Sequence, residues 1–187
     1  IDLCDADDRE LATMDIADHV AGTFLQDAPV IGLSATSGEG LNEFIASLDV
    51  LSQRSVPSSD HQRPRLFIDR VFAAKGSGTV VTGTLTDGSF SIGDNVIITP
   101  SGREAKIRGI QTLGQAVESI EPGHRVALNL SGIEHSELLR GNVVIKDNNW
   151  HLSDRVDASL QVLTSLSHVV SRRGAFTVHI GSDEIPA

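Results

Sequence analysis

The sequence predicts an α/β segment followed by an all-β portion centred on a small antiparallel barrel, on three observations. Leu41, Phe44, Ile45, Leu48 and Leu51 recur at helical spacing behind a short apolar run, Ala28 to Leu33. Between residues 66 and 146, six short apolar runs alternate with turn signals such as Asp87-Gly88, Pro100-Ser101-Gly102 and Glu121-Pro122-Gly123. Separating the two regions, Ser52 to Pro64 is rich in Ser, Gln, Pro and Asp and has no apolar period.

Taken in order, Leu11, Met14, Ala17, Ala21 and Phe24 predict a first helix, with Asp7 or Asp8 as its N-cap. Ala28 to Leu33 has strand length, and the small-residue turn Ser34-Ala35-Thr36-Ser37-Gly38 follows it. The Leu41 helix comes next and is the cleanest amphipathic pattern in the chain. Helix, strand, loop and helix make half of a doubly wound sheet over residues 1–52. A linker is expected at 53–64. The runs at 66–74, 79–86, 95–99, 104–112, 124–130 and 142–146 predict a closed antiparallel barrel over 65–147. Beyond it, Arg155 to Leu163 and Phe176 to Ile180 read as two strands of a further β-domain, 148–187, cut short.

At 187 residues, 40% hydrophobic and 21% charged, the composition is that of a soluble globular protein. Aromatic residues make up only 4%, with no Tyr, which argues against a broad base-stacking platform. No apolar run reaches the length of a membrane span. Cys4 is the only cysteine, so an internal disulfide and a cysteine zinc site are both excluded. The seven histidines are scattered without metal-ligand spacing, and no Gly-x-Ser-x-Gly elbow occurs. We therefore assign no metal site and no catalytic residue from sequence. The chain opens on Ile1-Asp2-Leu3 and closes just after a strand-like run, so a piece of a longer protein is expected; the single cysteine fits a cytoplasmic one.

The net charge of −10 argues against a nucleic-acid partner until its distribution is read. Residues 1–60 carry two basic and twelve acidic side chains, whereas residues 61–147 carry ten basic and nine acidic ones. The imbalance sits in the first third, which leaves the barrel free to present a local basic face.

The glycines of Lys75-Gly76-Ser77-Gly78-Thr79-Val80-Val81-Thr82-Gly83 have the wrong spacing for a dinucleotide loop and no helix pattern after them. Alone, they read as residues that let a barrel strand bend or pack closely. As a string, with Thr84-Leu85 after it, the run resembles the second-domain signature of the elongation factor Tu superfamily of translational GTPases. Ser34-Ala35 before Gly38-x-Gly40 and a helix resembles the fifth nucleotide-binding motif of GTPases, and Ile1-Asp2 the end of their guanine-specificity motif. Within the superfamily, three strings are similar to the selenocysteine-specific elongation factors: Arg65-Leu66-Phe67-Ile68-Asp69-Arg70-Val71-Phe72, Arg108-Gly109-Ile110-Gln111, and Pro122-Gly123-His124-Arg125-Val126-Ala127-Leu128-Asn129-Leu130. His124 departs from the family's usual Gln.

The resemblance implies the C-terminal part of a P-loop GTPase domain, a complete domain-two barrel and the first strands of a domain-three barrel. It implies that Asp2, Ser34 and Ala35 bind guanine, and that Asp69, Arg70 and Arg125 shape the pocket for the amino acid esterified to tRNA. Arg65, Lys75, Arg108, Glu137 and Arg140 become candidates for tRNA contact, with Arg63, Arg103 and Lys106 as further basic positions. The implied cofactor is GTP, with Mg2+ held by parts of the parent protein outside this chain. The implied partners are selenocysteinyl-tRNA, the ribosome and, through C-terminal domains outside this chain, an mRNA hairpin. The phosphate-binding loop and switch regions are not in this sequence, so the chain by itself is not expected to hydrolyse GTP. The residues also admit a general tRNA carrier, a sulfate-activation GTPase subunit, or a non-catalytic barrel that serves as an interaction module.

Overall fold

A computed structural model describes residues 1–54, 59–74, 78–146, 150–162, 166, 170–171 and 175–187. The chain folds as two compact units, Ile1–Val56 with Ser159–Ser171, and Pro57–Ala158 with Arg172–Ala187.

The first unit contains α1 (Ala6–Val20) and α2 (Leu41–Arg54). The N-cap of α1 is Asp5, whose carboxylate accepts the Asp8 amide at 2.9 Å; Asp7 and Asp8 instead lie in the first turn. The cap thus falls two residues before the first expected position, on the acid whose backbone is extended ahead of the helix. Ala21 closes α1, and Phe24 lies beyond it in the turns that follow. Ala28 to Leu33 forms no strand, because no other segment among the described residues of this unit pairs with it. The apolar stripe of α2 forms at the expected positions, yet Ile45, Leu48 and Leu51 are each about half exposed.

In the second unit the strands are β1 (Arg65–Ala74), β2 (Gly78–Thr86), β3 (Phe90–Ser91), β4 (Asn95–Thr99), β5 (Arg103–Thr112), β6 (Gln115–Val117), β7 (Ser119–Ile120), β8 (Arg125–Ser131), β9 (Val143–Ile145), β10 (Thr177–Ile180) and β11 (Asp183–Pro186). Six of them close a barrel in the order β4-β9-β1-β2-β8-β5, sealed by β4 pairing with β5, and every pairing is antiparallel. The expected strands match these six. The short β3, β6 and β7 carry too few residues to show a period of their own. Arg155 to Val162 contains no strand, and Leu163, the end of that expected run, lies outside the described residues. The partner of β10 is β11, reached through the tight turn at Gly181-Ser182.

Alternation builds the core. In β2, Thr79, Val81, Gly83 and Leu85 point inward, and in β8 Val126, Leu128 and Leu130 do so, meeting Leu66, Ile68, Phe90, Ile98, Ile107 and Val144. The one inward hydroxyl on β2, Thr79 Oγ1, donates to the Ile133 carbonyl at 2.8 Å. Gly83 is fixed by space: a Cβ there would sit 2.2 Å from the Phe67 carbonyl oxygen and 2.7 Å from the Leu66 side chain. The entry to β1 is clamped, with the amides of His61 and Arg63 both donating to the Asp87 carbonyl and the Arg65 guanidinium paired to the Asp87 carboxylate at 2.9 Å. The guanidiniums of Arg63 and Arg65 each lie 4.3 Å from the centre of the Trp150 ring.

Two strand glycines give a matched test. Gly83→Ala should lower stability by about 1–3 kcal/mol, the usual cost of overpacking a close-packed interior. Gly109→Ala, where the nearest atom to a new Cβ is 3.7 Å away, should stay within about 0.5 kcal/mol. Urea unfolding of both variants checks the contrast, and equal losses would refute the steric role of Gly83.

Candidate functional site

On the barrel's outer face a β-bulge brings two consecutive charged residues of β1 together. The β1–β2 register runs Phe67↔Thr84, Ile68↔Gly83 and then Arg70↔Thr82, so Asp69 is an extra residue opposite no partner. Before the bulge the inward residues are Leu66 and Ile68; after it the inward residue is Val71. The side-chain parity therefore switches, and Asp69 and Arg70 both end on the outer face.

There Asp69 meets residues from two other strands. Thr82 Oγ1 of β2 donates to Asp69 Oδ1 at 2.6 Å, and Arg125 of β8 makes a two-pronged pair, Nη1 to Oδ2 at 2.5 Å and Nη2 to Oδ1 at 3.0 Å. Partial desolvation pushes the Asp69 carboxyl upward. The Thr82 hydroxyl, the Arg125 guanidinium and the charge of Arg70 outweigh it and hold the carboxyl below the usual carboxylate range. Arg70 is exposed. Arg125 pairs with the one carboxylate and Arg70 acts on it through its charge alone, so two guanidiniums stand against a single acid and the spot is net positive. Thr82, which orients Asp69, is not among the residues singled out from sequence. Its signal is its place two residues from Val80 and Thr84 on the outward side of β2.

Along the same face a groove of about 510 Å³ is lined by Phe72, Val80, Ile92, Arg108, Ala127 and Asn129. The side-chain oxygen of Asn129 is buried and accepts no hydrogen bond from the described residues. Arg108 projects here from a second bulge, between Ile107 and Gly109 of β5. Alternation along β8 places Asn129 on the Arg125 side, so its position, though not its unmet acceptor, is readable from sequence.

The other candidates fall into separate places. Arg65 is engaged by Asp87 and Trp150, Glu137 pairs with Arg103 at 2.7 Å, and Arg140 Nε donates to the Ser182 carbonyl at 3.0 Å. Lys75 lies outside the described residues. Arg103 and Lys106 are exposed on β5.

In the first unit, Asp2, Ser34 and Ala35 come together. Ser34 is buried, its oxygen accepts the amides of Thr36 at 3.3 Å and Ser37 at 3.1 Å, and its hydroxyl holds the Asp2 carboxyl below the ordinary range. Gly40, with φ +73°, is needed where a Cβ would lie 2.1 Å from the Gly32 carbonyl oxygen. The exposed Ala35 amide donates to no group among the described residues. A carboxylate acceptor and an open amide donor therefore flank one loop. Among the described residues no cluster of His, Cys, Asp and Glu fits a metal ion, and no helix is long and apolar enough to cross a membrane.

A depressed Asp69 carboxyl makes a signed prediction. Its contribution to stability is fully present above the unfolded carboxyl's ordinary value and is lost as pH falls through the lower folded value. The stability gap between wild type and Asp69→Asn should stay constant from about pH 7 to about pH 5 and close below about pH 4. Urea titrations across that range measure it; a gap that closed above pH 5 would contradict the pairing.

Residues 78–145 match the family model described as elongation factor Tu domain 2. The selenocysteine-specific elongation factor of Desulfomicrobium baculatum is 38% identical over 100% of this chain and 29% of its own length. That of Methanocaldococcus jannaschii is 31% identical over 87% of this chain and 35% of its own length, so the chain spans about a third of these relatives. The crystal structure of apo translation elongation factor SelB from Methanococcus maripaludis superposes with a TM-score of 0.71 at 25% identity, covering 77% of this chain and 31% of that one. With its closed six-stranded barrel and whole-length similarity, the chain belongs to the selenocysteine-specific elongation factors of the elongation factor Tu superfamily, of which it spans the region around domain two.

Proposed function

We propose that this chain is the part of a GTP-binding elongation factor that grips the selenocysteinyl end of tRNA for delivery to the ribosome. The observation that carries the reading is the Asp69–Arg125 pair at the β1 bulge, with Arg70 beside it. A selenol is more acidic than a thiol and is mostly anionic at neutral pH, whereas a serine hydroxyl is neutral. Two guanidiniums in a partly desolvated site favour the anion, and Asp69 holds Arg125 in a two-pronged geometry. Against serine the guanidiniums gain no charge partner, so discrimination comes from the missing pairing.

The neighbouring groove supports the same reading. The amino acid is esterified to the terminal nucleoside, and Asn129 lies four residues along β8 from Arg125, about 13 Å at strand rise. An apolar groove with one unmet acceptor suits a nucleobase beside the aminoacyl pocket. Arg108, Arg140 and the other basic positions would act on phosphates as positioning contacts.

In the first unit, the Asp2 carboxylate matches the N–H edge of guanine and the Ala35 amide matches its carbonyl, with Ser34 buttressing Asp2. Bound GTP supplies the hydrolysable anhydride and, in the parent, the switch between tRNA-holding and tRNA-releasing states. The residues here would only orient its base.

Two measurements test the proposal. Arg125→Ala in the full-length factor should weaken selenocysteinyl-tRNA binding roughly tenfold to a hundredfold, the worth of a lost charge-assisted hydrogen bond. Seryl-tRNA binding should change little, and equal losses for both would sink the pocket assignment. The purified 187-residue chain should show no GTP turnover; steady phosphate release from a pure preparation would overturn the placement of catalysis elsewhere in the parent.

A further inference from the structure

The turn of the β10–β11 hairpin lies against the backbone of β1 at the bulge. Ser182 Oγ donates to the Ile68 carbonyl at 2.7 Å, across 114 residues of sequence, and the same carbonyl accepts the Gly141 amide at 2.9 Å. The approach is close by construction: Gly181, with φ +61°, stands where a Cβ would come within 2.2 Å of the Phe67 ring. Arg140 Nε, donating to the Ser182 carbonyl at 3.0 Å, fixes the turn from its other side.

Ile68 is the last residue in register before the ladder shifts, and Asp69 is the extra residue that reaches Thr82 and Arg125. A bulge interrupts the ladder, so its local conformation depends on what holds the adjoining backbone groups. Ile68 has two donors on its carbonyl, and one of them comes from the hairpin. A movement of that carbonyl rotates the peptide that carries Asp69.

We propose that Ser182 is a positioning residue, whose hydroxyl fixes the β1 bulge through the Ile68 carbonyl and so holds Asp69 against Arg125. The geometric role stands on these hydrogen bonds alone. Its consequence for amino-acid selection rests on the reading of Asp69, Arg70 and Arg125 as the aminoacyl pocket. The hairpin then does more than fasten to the barrel: it sets the charge geometry of a site made wholly of barrel residues.

The geometric role is tested on the 187-residue chain by following the Asp69 carboxyl in an NMR pH titration. Ser182→Ala, which removes one oxygen from a half-buried residue, should move the Asp69 midpoint up by about half a pH unit or more as its partners loosen. Ser182→Thr keeps the hydroxyl and should titrate like wild type. An Asp69 midpoint unmoved in Ser182→Ala, with only hairpin amides shifted, would reduce Ser182 to a fastener and overturn the proposal, as would equal shifts in both variants.

The consequence is tested in the full-length factor. Ser182→Ala should weaken selenocysteinyl-tRNA binding roughly twofold to fivefold and cost nothing more in an Arg125→Ala background, since residues in one network are not additive. Full additivity overturns the coupling. Failure of the pocket reading shows separately, as Arg125→Ala binding both aminoacyl-tRNAs alike while the Asp69 titration still responds to Ser182.

Discussion

The insertion of one residue into β1 governs the site. Strict alternation from Leu66 would send Arg70 into the barrel, among Ile68, Val81 and Leu128, where an unpaired guanidinium costs several kcal/mol or more. The bulge at Asp69 removes that conflict by placing two consecutive charged residues on one face and returning Val71 to the core. A second bulge, at Arg108, shifts the parity of β5 in the same way: Arg108 and Gly109 both lie off the core side, and Ile110 returns to the core behind Ala105 and Ile107. Both lie on the outer face that carries the groove, so the barrel's irregularities and its proposed binding surface coincide.

The Asp69–Arg125 pair contributes little to holding the barrel together. Arg125 is 56% exposed and Asp69 25%, and pairs of that kind are worth about 0–1 kcal/mol. The core of Leu66, Ile68, Val81, Leu85, Phe90 and Leu128 supplies the rigidity. On that frame the pair is preorganised: a hydroxyl, a carboxylate and a guanidinium from three adjacent strands are fixed before any ligand arrives. Preorganisation of this sort lowers the cost of ordering the site on binding.

The first unit shows the opposite economy. Neither α1 nor α2 buries a residue completely, and the stripe of α2 stays half exposed. What is well made there is the Ser34 loop, where a buried hydroxyl, two left-handed glycines and an adjacent carboxylate leave little freedom. Helix periodicity is legible in this region, but Ala28 to Leu33 is not a strand, because an apolar run needs a pairing partner as well as the right composition. The N-cap falls on Asp5 rather than Asp7 or Asp8 because several acids close together satisfy the composition of a cap, and only backbone geometry selects one.

By itself the sequence determined the barrel, since period-two alternation and turn residues are local properties that six successive strands display clearly. It also pointed, through the family its strings resemble, to the charged side chains of the candidate site. Only the tertiary structure decided that Asp69 and Arg70 share a face, that Thr82 orients Asp69, and that Ser182 reaches the bulge from 114 residues away. The reason is physical. A bulge is a mismatch between two strands, and a hydrogen bond across the fold belongs to neither segment alone, so neither leaves a periodic trace in the chain that forms it.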